Sequence, residues 1–159
     1  MRKPSQTDFT TAKGAYGYAV SLLARREYSR KALYSRLIEK GTPSEIAMAV
    51  LDELRDSGYQ NDERFIQSLV RVRVSQGKGP IILFHEAREH EIPIDRLHAA
   101  IEAESPDWFD LAVQVLEKRF GGLAETWKEK AHQYRFLTMR GFEREHIQAA
   151  LRKCVYTSS

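Results

Sequence analysis

Apolar residues recur along most of the chain with the three- and four-residue spacing of an amphipathic helix. Residues 70–74 alternate valine and arginine as a strand would, but they continue a helical set of apolar positions at 65, 66 and 69, so we interpret them as helix. The pattern predicts no strand and nine helices, at 15–26, 30–40, 44–57, 62–75, 80–90, 94–103, 107–120, 125–139 and 143–153.

Polar residues and glycines mark the ends of these helices. Thr42 is suited to cap the third helix, because threonine is a common N-cap residue. Pro43 would then occupy the first helical position, where the missing N–H of proline costs no hydrogen bond. Asn61 or Asp62 can cap the fourth helix, and Asp107 can cap the seventh. Glycines, which tolerate left-handed backbone, stand where four of the helical patterns stop: Gly41, Gly58, Gly121 and Gly141.

The helices repeat in groups of three. Similar residues stand 50 positions apart: Tyr34, Phe84 and Tyr134; Ala47, Leu97 and Ile147; Val50, Ala100 and Ala150; Leu51, Ile101 and Leu151. A unit of about 45 residues buries too little surface to be stable by itself, so neighbouring units should pack together. We therefore predict an all-α fold of three tandem three-helix repeats forming an elongated, curved array. The expected segments are a polar N-terminal tail at 1–14, repeats at 15–60, 61–106 and 107–153, and a C-terminal tail at 154–159.

Charge is distributed unevenly along the chain. The 25 basic and 22 acidic residues give a net charge of only +3. Counted by segment, the net charge is +6 for 1–40, −3 for 41–60, +2 for 61–80, −6 for 81–110 and +4 for 111–159. The ends are basic and the middle is acidic, which bears on partners rather than on fold.

Composition excludes several classes of protein. The longest apolar run, 46–51, has six residues, whereas a membrane span needs about 20. Polar residues at 4–11 follow the basic start, so no signal peptide is indicated. The single cysteine, Cys154, excludes an internal disulfide framework and fits a reducing compartment. We expect a cytoplasmic monomer with no membrane partner.

No motif indicates catalysis. His85 and His90 flank a sequence like that of a zinc protease, but they are five residues apart and so lie on different faces of a helix. The glycine-containing segment 77–80 lacks the Lys-Ser/Thr ending of a phosphate-binding loop. No Ser, Cys or His arrangement suggests a nucleophile. We predict that the protein is not an enzyme and uses no cofactor or metal.

Binding is the remaining function, and basic residues are its candidates. Lys and Arg side chains in several groups can bind phosphates with strong salt dependence, or bind an acidic protein groove. Tyr28, Tyr34 and Tyr134 stand near these groups and can stack on bases, although the last two belong to the repeat register, which favours a role in the core. The candidate partner- or DNA-binding residues are Arg25, Arg26, Lys31, Arg64, Arg71, Arg73, Lys78, Arg135 and Arg140.

Four segments in this order resemble a known family. They are LLARREYS at 22–29, GYQNDERF at 58–65, GKGP at 77–80 and RFLTMRGF at 135–142. The chain therefore resembles the RecX regulatory proteins over residues 15–153. It departs from the family pattern in the middle, where Glu91 replaces the expected glycine and His90 the expected lysine. The helix there must end without glycine, at a cost of up to about 1 kcal/mol.

The resemblance implies a function in DNA recombination, repair and the SOS response. Family members bind the RecA recombinase, lie along its nucleoprotein filament, and suppress its recombination, ATPase and coprotease activities. The implied partners are the RecA filament and, weakly and with sequence tolerance, single- or double-stranded DNA. On this basis we expect a non-enzymatic modulator of the RecA filament.

Two alternatives remain at this point. The first is a helix-turn-helix transcription regulator, which needs an exposed recognition helix carrying Arg, Asn or Gln toward base edges. Helix 44–57 carries only Arg55 of this kind and helix 94–103 only Arg96, while the last helix offers Arg144, Gln148 and Arg152. The second alternative is a helical-repeat scaffold for some other protein.

Overall fold

The computed structural model describes the backbone of residues 6–122 and 124–156, and side chains as far as Lys153. This part of the chain contains no strand and nine helices: α1 (Ala12–Leu23), α2 (Arg30–Glu39), α3 (Ser44–Asp56), α4 (Asp62–Ser75), α5 (Pro80–Glu89), α6 (Ile94–Glu104), α7 (Trp108–Phe120), α8 (Trp127–Met139) and α9 (Arg144–Tyr156). None of these helices is long and apolar enough to cross a membrane. The side chain of Cys154 lies outside the described residues.

The predicted number and type of elements are confirmed, and the largest difference is at α1. This helix begins at Ala12 rather than at 15, because the Thr11 hydroxyl accepts the Gly14 N–H and caps it. It ends at Leu23, three residues before the predicted end. The backbone of α9 runs to Tyr156, into the segment predicted as a C-terminal tail.

The chain divides into two compact units, Met1–Ile66 and Gln67–Ser159. In the first unit, α1, α2 and α3 contact one another in every pairing. Their shared core consists of Ala15, Ala19, Leu22, Tyr28, Leu33, Leu37, Ala47, Val50, Leu51 and Leu54. This is the smallest arrangement in which three amphipathic helices each bury one face.

The second unit contains two further groups of helices. In one group α5 packs against α6, and in the other α7, α8 and α9 all contact one another. The core of the second group consists of Ala112, Val113, Leu116, Leu137, Phe142, Ile147 and Ala150. The buried positions of α5 and α6 are Pro80, Leu83, Ala87, Leu97 and Ala100.

The 50-residue repeat appears in the structure as one recurring helix-to-helix turn. Helices α2, α5 and α8 are each followed, two residues beyond their last residue, by a residue with positive φ: Gly41 at 91°, Glu91 at 56° and Gly141 at 92°. The N–H of the next residue then bonds a carbonyl oxygen five residues back: Thr42 to Leu37 at 3.0 Å, Ile92 to Ala87 at 2.8 Å and Phe142 to Leu137 at 3.2 Å. Glu91 therefore adopts the left-handed conformation in which glycine was expected.

Two of the predicted caps are present and one is wrong. The Asn61 carboxamide oxygen accepts the Arg64 N–H at 3.0 Å and caps α4, and Asp107 caps α7 in the same way. Thr42 does not cap α3, because its hydroxyl donates to the Phe9 carbonyl oxygen at 2.6 Å. It is thereby buried beneath the segment that precedes α1.

The end of α8 caps the beginning of α5 within the second unit. The Gly79 N–H donates to the Arg140 carbonyl oxygen at 2.8 Å, and the Ile81 N–H donates to the Gly141 carbonyl oxygen at 2.9 Å. The negative end of one helix dipole thus satisfies the unbonded donors at the positive end of another. A Cβ on Gly79 would lie 2.4 Å from the Gly141 carbonyl oxygen, so only glycine permits this approach.

We predict that Gly141→Ala destabilises the protein more than Gly41→Ala does. Both glycines have φ near 90°, so both substitutions add left-handed strain of about 1 kcal/mol. Only at Gly141 would the new Cβ also meet a neighbour, 2.4 Å from Ile82 Cγ1. This overpacking should add about 2 kcal/mol, measured by urea unfolding together with hydrogen exchange of the Ile81 amide. Equal losses for the two variants would contradict the cap.

Candidate partner-binding surfaces

The segment 58–65 ties the end of α3 to the beginning of α2 within the first unit. The Asp62 carboxylate accepts the Arg30 N–H at 3.0 Å, so it caps α2 from a distant part of the chain. The buried Gln60 donates to the same carboxylate at 3.0 Å and to the Tyr28 carbonyl oxygen at 3.4 Å. Asp62 therefore has a structural role.

Arg64, a predicted contact residue, binds within its own unit. Its Nη2 donates to the carbonyl oxygens of Gly58 at 2.8 Å and Tyr59 at 3.0 Å. Its Nε donates to the Glu27 carboxylate at 3.0 Å. The guanidinium therefore holds the loop after α3 in place. Because Glu27 already compensates its positive charge, Arg64 adds little net charge to the surface that a partner would meet.

The predicted contact residues at the start of the chain lie around the turn between α1 and α2. Arg25 and Arg26 are exposed beyond the last residue of α1. The Arg26 guanidinium lies over the Tyr28 ring, with Cζ 4.7 Å from its centroid. Lys31 is half-buried in the first turn of α2. Arg25 forms no ion pair with a described residue, so its charge is available to a partner.

Two predicted contact residues of α4 form ion pairs within the second unit. The Arg73 guanidinium donates two hydrogen bonds to the Glu86 carboxylate, one of them at 2.7 Å. These bonds raise the pKa of Arg73 above its usual value, because they favour the charged form. Arg71 is more exposed, and its Nε lies 3.6 Å from the Glu104 carboxylate.

Arg73, Lys78 and Arg140 are brought together at the end of α4. Arg73 Nη1 donates to the Gln76 side-chain oxygen at 3.1 Å, and Arg140 Nη1 donates to the Gln76 carbonyl oxygen at 3.0 Å. The Lys78 N–H donates to the Arg73 carbonyl oxygen at 2.9 Å. Arg140 thereby also compensates the negative end of the α4 dipole. In this group, the Lys78 amino group has no ion-pair partner among the described residues.

The exposed face of α8 combines basic and apolar side chains. Trp127, Arg135 and Met139 are all exposed on α8, and Arg135 and Met139 lie one turn apart on the same side of it. The exposed fraction is 75% for Trp127 and 80% for Met139. The Lys128 ammonium lies 6.0 Å from the Trp127 ring, and neither Lys128 nor Arg135 pairs with a described acidic group. We name these four residues the α8 face.

The predicted stacking residues do not lie on this face. Tyr28 is buried in the first core, and Tyr34 packs against the same core. The hydroxyl groups of Tyr34 and Ser44 share a hydrogen bond of 3.0 Å. Tyr134 packs against the core of the last group of helices. The core role favoured by the repeat register is thus confirmed, and the most exposed aromatic ring described belongs to Trp127, which sequence reasoning did not select.

Among the described side chains, one group has the proximity of metal ligands. Glu143, Glu145 and His146 lie together at the start of α9. However, His146 Nδ1 accepts the Glu143 N–H at 3.2 Å, and the ring packs edge-on against Phe109. With Nδ1 used, His146 acts as a buried cap for the first turn of α9.

Comparisons with known proteins match two parts of the chain to three-helix domains of one family. Residues 15–54 match the model of the RecX first three-helix domain, and residues 106–151 match that of the RecX third three-helix domain. The crystal structure of RecX from Lactobacillus salivarius superposes with a TM-score of 0.72 at 17% identity, covering 91% of this chain and 97% of that one. A second crystal structure, of a regulatory protein RecX, also gives a TM-score of 0.72, at 22% identity, covering 86% of this chain and 71% of that one.

Relatives in sequence carry the same description. The regulatory protein RecX of Chromohalobacter salexigens is 41% identical over 134 residues, which cover 84% of this chain and 88% of that protein. The regulatory protein RecX of Legionella pneumophila is 34% identical over 140 residues, which cover 87% of this chain and 93% of that protein. The chain therefore belongs to the RecX family of regulatory proteins.

Proposed function

We propose that this protein binds the RecA nucleoprotein filament and lowers its ATPase, recombination and coprotease activities. The observation that carries the proposal is family membership over most of the chain, at 41% identity to a regulatory protein RecX. Short domains joined in one chain suit such a partner, since several modest contacts on a repeating filament add by avidity.

The α8 face supports a contact with the nucleic acid of such a filament. Residues 118–140 contain six basic and two acidic residues. The carboxylate of one of the acidic residues, Glu129, accepts hydrogen bonds from the N–H groups of Glu125 and Thr126. An exposed indole beside unpaired cations offers both base stacking and phosphate neutralisation without reading sequence.

The observed α3 and α6 are poor recognition helices for a helix-turn-helix transcription regulator, whereas α9 exposes Arg144, Gln148 and Arg152. A recognition helix must enter the major groove between two rows of phosphates. The exposed side chains of α3 include Glu45, Glu53 and Asp56, and Arg55 is paired with acidic neighbours. The exposed side chains of α6 include Asp95 and Glu102. Phosphates would repel both helices.

We predict that the purified protein inhibits ATP hydrolysis by RecA assembled on single-stranded DNA. Inhibition should approach completion at a protein concentration near that of RecA, because the proposed mode is direct binding along the filament. The measurement is the steady-state ATPase rate during titration with the protein, with DNA-free RecA as the reference. An unchanged ATPase rate and unchanged strand exchange at stoichiometric protein would disprove the proposed function.

We predict that Trp127→Ala weakens binding to single-stranded DNA in the absence of RecA. Loss of one stacked base should cost about 1–3 kcal/mol. Fluorescence anisotropy of a labelled oligonucleotide measures the affinity. Met48→Ala is the control, because Met48 is exposed by 51% on the acidic α3. A loss of affinity shared by both variants, or by neither, would show that the indole does not stack on a base.

A matched pair of charge substitutions tests the phosphate contact of the same face. Arg135 on α8 and Arg88 on α5 are both exposed and lack an ion-pair partner among the described residues. Arg135→Gln should reduce the slope of log K against log salt by about 0.7, the value for one phosphate contact on a single strand. Arg88→Gln should leave this slope unchanged, because residues 81–110 are acidic overall.

A further inference from the structure

Tyr59 differs from the rest of the segment 58–65 in having no internal role for its side chain. Gln60 is buried, Asn61 caps α4 and Asp62 caps α2. Phe65 is also buried in the first unit. The Tyr59 side chain is 54% exposed, and neither its ring nor its hydroxyl contacts a described group through a hydrogen bond or ring interaction.

The backbone of Tyr59 is nevertheless held firmly on both sides. Gly58 adopts a φ of 82°, and its N–H donates to the Arg55 carbonyl oxygen at 3.0 Å. The Gln60 N–H donates to the Leu54 carbonyl oxygen at 3.1 Å. Arg64 donates to the carbonyl oxygens of Gly58 and Tyr59. The loop is therefore ordered before any partner arrives.

An exposed ring on an ordered loop has the properties of a binding hot spot. Tyr, Trp and Arg dominate the energetics of protein interfaces. A tyrosine has only two rotatable side-chain bonds, so it loses little conformational entropy on binding. Because hydrogen bonds already fix the Tyr59 backbone, the backbone loses no further conformational entropy when a complex forms.

The charge around Tyr59 distinguishes a protein from a nucleic acid as the occupant. Residues 52–63 contain five acidic residues and one basic residue. Arg64, which follows, is paired with Glu27. Phosphates are repelled from such a surface, whereas a protein surface with basic and apolar side chains complements it.

We propose that Tyr59 is a preformed contact for a basic and apolar surface of the protein partner, and that Arg64 is its positioning residue. The partner is identified as RecA only through the proposed function, on which this inference rests. The Tyr59 ring inserts between partner side chains, and the net charge of −3 on residues 52–64 attracts the cations of the partner. Arg64 takes no part in the contact except by holding the Tyr59 carbonyl oxygen.

The test compares Tyr59→Ala with Met48→Ala, since the two side chains are exposed to similar extents. The readout is the concentration that halves the RecA ATPase rate. Tyr59→Ala should raise it by about tenfold or more, as expected for a hot spot, and Met48→Ala by less than about twofold. Tyr59→Lys, which adds a charge of the sign expected on the partner, should be at least as defective. Thermal melting should show all variants folded.

A second arm measures binding to labelled single-stranded DNA without RecA. Tyr59→Ala should bind DNA as the unsubstituted protein does, and a parallel loss of DNA affinity would overturn the inference. Arg64→Gln should weaken ATPase inhibition, but it should add little when combined with Tyr59→Ala, because both changes remove the same contact. Additive losses would instead assign Arg64 a separate role.

The outcomes separate this inference from the proposed function. If the unsubstituted protein leaves the RecA ATPase rate unchanged, the proposed function fails and the inference fails with it. If the unsubstituted protein inhibits and both Tyr59 variants inhibit equally well, only the inference is overturned.

Discussion

Short helices leave many backbone groups unbonded at their ends, and the satisfaction of those groups is the constraint on which this structure depends. Some partners are local, such as the Thr11 hydroxyl that caps α1. Others come from distant parts of the chain. The Asp62 carboxylate caps α2, and the Gly141 carbonyl oxygen accepts a hydrogen bond from the first turn of α5. Each of these distant hydrogen bonds holds together helices that share little apolar contact area, because the cores are small.

This constraint explains why the most distinctive sequence motifs are largely unavailable to partners. Gly79 and Gly141 allow two backbones to touch: the Gly79 N–H donates to the Arg140 carbonyl oxygen at 2.8 Å, and a Cβ on Gly79 would lie 2.4 Å from the Gly141 carbonyl oxygen. Arg140 donates to the Gln76 carbonyl oxygen, and Arg64 donates to two carbonyl oxygens of the loop after α3. Arginine suits this work because its fork of donors reaches several oxygens at once. We therefore propose that contacts with partners fall on side chains that the helix ends do not use.

The sequence predicted the local features of the fold well and the distant ones poorly. Helix type, the 50-residue repeat and the glycine-marked turns follow from periodicity and backbone preference, and the structure confirms them. Thr42 was misassigned because its partner, the Phe9 carbonyl oxygen, lies far away along the chain. For the same reason, no spacing rule revealed that Arg73 pairs with Glu86. Trp127 was missed because an apolar residue at the start of a helix has the same pattern whether it faces the core or the solvent.

The α8 face and the surface around Tyr59 are not used by these internal bonds, and they lie in stretches of opposite charge. The sign of the charge determines which kind of partner each surface can bind. The α8 face lies in a stretch with six basic and two acidic residues, whereas Tyr59 lies among five acidic residues and one basic residue. A polyanion is attracted to the first surface and repelled by the second, while a basic protein surface shows the reverse preference. A nucleoprotein filament presents both chemistries. The small net charge of +3 is therefore an average over stretches of opposite charge, and it does not show that charge is unimportant for binding.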